Sequence, residues 1–187
     1  HPGPTGFRQT SMRVVSVLPE DGKLLWEYSW PDSDRILQPA MASNGDIVLS
    51  TGGSEGMCRL KVQREAEGWN IQELWKAAVL KSYFNDFTVY KDVAFGFSGP
   101  FIECVDIQEG KRNWKGRRYG GQIVLLADQE LLVVLSEKGE IALIEANPDH
   151  FKELGRFPMI EGKTWNHPVV VGNILLIRNS HEMMALQ

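Results

Sequence analysis

At 187 residues, with 43% hydrophobic and 24% charged residues, the chain can bury a core without disulfide support, as one domain or two small ones at most. A net charge of −4 excludes the concentrated basic footprint of a nucleic-acid binder, and the single basic cluster, Lys111 to Arg118, is local. No apolar run approaches the roughly 18–20 residues that span a bilayer, so no membrane span is expected. The N-terminal HPGPTGFRQT shows no signal-peptide pattern, and both ends read as those of a fragment or a processed chain.

From the N-terminus, short apolar runs recur at 12–18, 46–50, 57–62, 93–97, 101–107, 123–126, 131–135, 141–144, 169–171, 174–177 and 183–186. Asn44-Gly45-Asp46, Gly52-Gly53, Lys138-Gly139 and Gly172-Asn173 punctuate them as turns. No stretch of a dozen residues keeps a 3.6-residue period, so little helix is expected, and 148–152 reads as a single turn. Short strands at regular spacing mean a sandwich, a barrel or a propeller.

Internal repetition chooses among these. Units at approximately 1–30, 36–78, 83–119, 121–158 and 164–187 repeat a strand, a Gly-containing turn, a second strand, a polar turn and a third strand. Their spacing is the period of a four-stranded propeller blade. The phrase Gly-Lys-x-x-Trp occurs at 22–26 and 110–114; the glycine closes a tight turn and the Trp lies on the following strand. Trp26, Trp75 and Trp114 occupy one slot, where a flat indole would cover the junction with the next blade. The fourth unit puts Leu154-Gly155 there. The expectation is an all-β propeller of about four blades, with two strands at the start, three full units and three strands at the end. It is either half of a larger ring or closed on itself by pairing 183–186 with a strand near 24–28. A homodimer joining two half-rings would also complete it.

The stretches VDIQEGKRNW (105–114), VLPEDGKLLW (17–26), LKVQREAEGWNIQELW (60–75) and ALIEANPDHFKELGRF (142–157) resemble the bacterial pyrroloquinoline-quinone-like (PQQ-like) propeller repeat. SYFNDF, LLVVLSEKGEIALI and EGKTWNHPV resemble the C-terminal half of that family. The resemblance implies a ring of about eight blades and a periplasmic or secreted setting, mostly without assigned activity. It does not bring the quinone: the adjacent cysteine pair of quinoprotein dehydrogenases is missing, and no cofactor is expected.

Other chemistry is sparse. Cys58 and Cys104 have no close His or Cys partner and read as buried, inert thiols. The glycine a phosphate loop needs five residues before Gly162 is Phe157, and Asp32-Ser33-Asp34 lacks the rest of a calcium loop, so no metal is expected. Two polar-aromatic stretches stand out, SYFNDF (82–87) and TWNHP (164–168), each just before the first strand of a unit. Such segments lie near the central channel of a propeller, where ligands and partners bind. The candidate binding residues are therefore Asn85, Asp86, Asn166 and His167, with Arg118 and Tyr119 from the matching segment of another unit, beside Gln122. Equally, Asp86 and His167 would cap turns and hold blades in register. No residue is assigned as catalytic. The reading is a non-catalytic binding or scaffolding module for a protein or small ligand at the channel mouth. The alternative is a hydrolase or lyase using Asp86, His167 and Arg118. A binding module predicts an open polar and aromatic face; an enzyme predicts a carboxylate within reach of His167 in a closed pocket.

Overall fold

The computed structural model describes residues 6–10, 13–30 and 37–187, with side chains from Arg13 onward. Asp32-Ser33-Asp34 lies outside the described residues. Among the described residues, eighteen strands form five antiparallel sheets, each a simple meander. The first holds β1 (Gly6–Thr10), β2 (Arg13–Val17) and β3 (Leu24–Ser29). The second holds β4 (Ala40–Met41), β5 (Ile47–Ser50), β6 (Met57–Glu65) and β7 (Gly68–Ala77). The third is β8 (Thr88–Tyr90), β9 (Val93–Ser98), β10 (Phe101–Asp106) and β11 (Lys111–Arg118). The fourth is β12 (Gly121–Leu126), β13 (Leu131–Ser136), β14 (Glu140–Glu145) and β15 (Glu153–Pro158). The last has β16 (Val169–Val171), β17 (Ile174–Arg178) and β18 (Met183–Leu186).

Several expectations are corrected. The first sheet has three described strands, not two, because polar Arg8, Gln9 and Thr10 carry no apolar alternation yet still pair with β2. The short first strands β4 and β8 were hidden by their length, because two or three residues cannot display a period. Residues 148–152 form a bend, and the helical turn among the described residues is a 3₁₀ turn at Ala127–Gln129. Strand β18 pairs with β17, and β3 pairs with β2; the closing pair of 183–186 with 24–28 is not formed among the described residues.

The core is the set of junctions between consecutive sheets. On the second sheet, Ile47, Leu49, Cys58 and Leu60 face Val14 and Trp26 of the first, while Val48 and Met57 face Ala94, Val105 and Ile107 of the third. The third sheet turns Phe95, Phe97, Ile102 and Cys104 towards Ile123, Leu132, Val134 and Ile144 of the fourth. The fourth sends Val133, Leu135 and Ile141 to Ile177 of the fifth. Successive residues thus serve opposite junctions, as the two-residue side-chain period requires. This is why the strands read as unbroken apolar runs rather than alternating ones. The first strands lie innermost, with β4 against β8 and β8 against β12.

The indoles sit at these junctions. Trp75 donates from Nε1 to the Ile107 carbonyl of the third sheet at 3.0 Å, and Trp114 to the Asn147 carbonyl of the fourth at 2.9 Å. Gly110 has φ +69°, and a Cβ there would lie 2.7 Å from the Trp75 ring, so this turn needs glycine twice over.

Both cysteines are free and buried. Burial pushes the Cys104 thiol up to about 12, with the Asp106 carboxylate adding to the rise, and burial raises Cys58 further. The native state therefore holds protons that the unfolded chain releases above its ordinary thiol value near 9. Stability is intact below about pH 9 and falls as pH climbs from there to 12. The expected Cys104 share is on the order of 1.4 kcal/mol per pH unit in that window. Urea titrations at pH 8.5 and 10.5 should show that Cys104→Ala softens the loss. An unchanged slope would refute it.

Candidate functional site

Two long connections meet over the start of β12: the segment between β7 and β8, and the one between β15 and β16. Each is pinned from below. Ser82 donates its hydroxyl to the Phe97 carbonyl at 2.9 Å, and Thr164 to the Arg178 carbonyl at 2.6 Å. The backbone N–H of Leu80, a residue at φ +44°, donates to Oε2 of buried Glu103 at 3.1 Å. Arg112 pairs with the other oxygen of that carboxylate at 3.0 Å, which balances its charge.

Gln122 joins the two connections. Its buried side chain donates from Nε2 to the carbonyls of Phe84 (3.2 Å) and Trp165 (3.4 Å) and accepts the Asp86 N–H at Oε1 (3.2 Å). Asn85, also buried, donates from Nδ2 to the Gly121 carbonyl at 2.5 Å. These bonds hold two side-chain groups at the surface. One is a pair, Asp86 Oδ2 and His167 Nε2 at 3.0 Å, whose side chains are 45% and 40% exposed. The other is an aromatic ledge: Tyr83 meets Phe84 edge-on at 5.6 Å, and Phe84 meets Trp165 edge-on at 6.4 Å. Tyr83 is 48% and Trp165 59% exposed. Trp165 is fixed by its Nε1–H donating to Glu137 at 3.1 Å, with the Lys163 ammonium 4.4 Å from its ring.

The remaining candidates lie apart or at the margin. Arg118 ends β11 on the surface, paired with Phe101. Tyr119 is buried; its hydroxyl donates to Glu153 on β15, and the Arg156 guanidinium stacks 4.7 Å from its ring. Burial and that hydrogen bond raise the Tyr119 phenol well above its ordinary value. Burial pulls Glu153 upward, but Arg156 and Tyr119 outweigh it and hold its carboxyl below the usual range. Tyr119 is thus part of a clasp between the outer strands of two sheets. Asn166 is half-buried between Trp165 and His167. Of the six candidates, Asn85, Asp86 and His167 share one cluster. Among the described residues, no group of three or more His, Cys, Asp or Glu is placed to hold a metal ion.

No protein-family model and no curated protein matches the sequence. Solved structures do match. BamB from Moraxella catarrhalis superposes with a TM-score of 0.68 at 14% identity, over 98% of this chain and 55% of that one. A putative 6-phosphogluconolactonase from Bacteroides uniformis gives 0.63 at 11% identity, over 91% of this chain and 61% of that one. The chain is a β-propeller. It spans about half the length of the first structure and three fifths of the second. At these identities the likeness establishes the fold alone.

In propeller terms the five sheets are blades, and the cluster over β12 stands at one end of the innermost strands. Among the described residues no helix is long and apolar enough to cross a membrane. The sequence singled out both segments and named Gln122 only beside Arg118 and Tyr119, not as the residue that joins the two. Gln122 opens an apolar strand, and a buried amide there needs partners on every polar atom. That single polar letter before Ile-Val-Leu-Leu was the available signal.

Proposed function

We propose that this propeller is a non-catalytic recognition module that binds a protein partner at the channel mouth. The observation that carries this reading is the ledge of Tyr83, Phe84 and Trp165 beside Asp86 and His167, rigidly seated on Gln122 yet open to solvent. Exposed aromatic side chains held in fixed rotamers are the groups that dominate protein interfaces, because their large area is buried at little entropic cost. The neighbouring carboxylate and imidazole supply directional polar contacts at the rim. The likeness of the repeat to PQQ-like propellers supports a periplasmic or secreted setting for the partner.

The test compares wild-type protein with Tyr83→Ala/Trp165→Ala in capturing partners from an extract of the source cells. A bound protein should be lost at least tenfold in the double variant and retained by Lys61→Ala, far out on β6. Equal capture by all three would sink the proposal.

A second reading rests on the 3.0 Å contact between Asp86 and His167, since a carboxylate-oriented imidazole can move a proton. A lactone- and ester-hydrolysis screen decides it. Turnover that disappears in His167→Ala would replace the binding module with a hydrolase. Solvent access to both side chains argues the other way, because water screens the pair.

A further inference from the structure

Each blade has a forward face, towards the blade that follows it in the chain, and a backward face, towards the one before. On the fifth blade, Leu175, Ile177, Met184 and Leu186 pack backward on the fourth. Side chains alternate along a strand and paired residues share a face. Val169, Val171, Ile174, Leu176, Met183 and Ala185 therefore lie together on the forward face. Val169 is 48%, Val171 61%, Ile174 39% and Met183 71% exposed. The matching face of the fourth blade, with Val133, Leu135 and Ile141, is buried against the fifth. The fifth blade thus presents in the open the kind of surface that the other blades bury in a junction.

The chain also carries the surface that such a face receives. On the first blade, Val14 and Trp26 look forward to the second. Val15 and Val17, with their partners Glu27 and Leu24, therefore look backward. Leu24 is 51% exposed, and both valines are half-buried. Every junction inside the chain joins a forward face to a backward one. We propose that a second copy of this chain covers the fifth blade: its first blade seats on the forward face, and two such junctions close one ring. Length favours this occupant. The chain superposes over 98% of its residues on 55% of the BamB chain, so two copies supply about the length of one such propeller. Pairing fifth blade with fifth blade would leave both first blades open. In the head-to-tail ring the blade order is kept, so the two-fold axis runs along the channel. Both aromatic ledges then open at the same end.

Sedimentation of the purified chain over a concentration series tests this. The expected species has twice the 21.1 kDa mass of the chain. Val171→Glu on the fifth blade and Val17→Glu on the first should each weaken association about tenfold or more, because each carries an unpaired carboxylate into an apolar junction. Circular dichroism checks that the variants fold. Should Val17→Glu disturb the first blade, Leu24→Glu places the same charge on that face from an exposed position. A mixture of Val171→Glu and Val17→Glu chains keeps one intact junction, so it should associate where neither variant does alone. Trp165→Ala should dimerise like the wild type, which separates this inference from the proposed mouth interface. A chain that is monomeric at every concentration would overturn the proposal and assign the covering blade to another polypeptide. So would a dimer that Val171→Glu breaks but Val17→Glu and Leu24→Glu leave intact, since that pattern means fifth blade on fifth blade.

Discussion

Arg59→Leu is expected to lower the unfolding free energy by about 3–5 kcal/mol, the cost of leaving a buried partner charge uncompensated. Arg59 and Asp46 are both buried. Nε and Nη2 of Arg59 each lie 2.7 Å from Asp46 Oδ2, and Asn44 Nδ2 donates to the same oxygen at 3.0 Å. The other arm of the guanidinium crosses the junction: Nη1 donates to the Ile107 carbonyl at 2.9 Å and to Gln108 Oε1 at 2.6 Å, both on the third blade. Removing Arg59 therefore strands a carboxylate in an apolar junction and unties two blades at once. The distinguishing control is the double variant Asp46→Asn/Arg59→Met. Without the stranded charge it should regain at least half of the loss, because a buried ion pair is replaced by apolar volume at little net cost. Urea unfolding of the three proteins measures both quantities. A loss below about 1 kcal/mol for Arg59→Leu would show that water reaches Asp46 on replacement.

Trp114→Ala should cost a similar amount, about 3–5 kcal/mol, for a different reason. Its ring is buried between the third and fourth blades, 5.8 Å from Phe95 on its own blade and 5.6 Å from Phe151 on the next. Truncation opens a cavity that neither sheet can close, since both are held by their own ladders. It also leaves the Asn147 carbonyl without its indole donor. Trp114→Phe keeps most of the ring contact and loses the hydrogen bond, so it should fall between wild type and alanine. A fully stable Trp114→Ala protein that had lost only partner binding would overturn this assignment.

Much of the fold was legible because a propeller blade repeats. Apolar runs of strand length, glycines at the hairpins and one aromatic slot are each local, and the chain states them several times. The runs at 93–97 and 131–135 became β9 and β13 almost unaltered, because central strands with two buried faces are apolar throughout. The edges were less legible. β1, β4 and β8 are too short or too polar to show a period, and their pairing depends on the neighbouring strand rather than on their own letters.

The site divides in the same way. The sequence by itself determined the blade architecture, the glycine turns, the slot shared by Trp26, Trp75 and Trp114, and the two polar-aromatic segments that contain Asn85, Asp86, Asn166 and His167. Those are short-range properties, fixed by side-chain period and turn geometry. Tertiary structure alone decided that Asp86 reaches His167, 81 positions away, while Tyr119 turns outward to Glu153. It also decided that Gln122 seats the aromatic ledge. Each of these depends on the angle and register at which separate sheets meet. No single segment carries that information, because the meeting is set by packing across the whole junction.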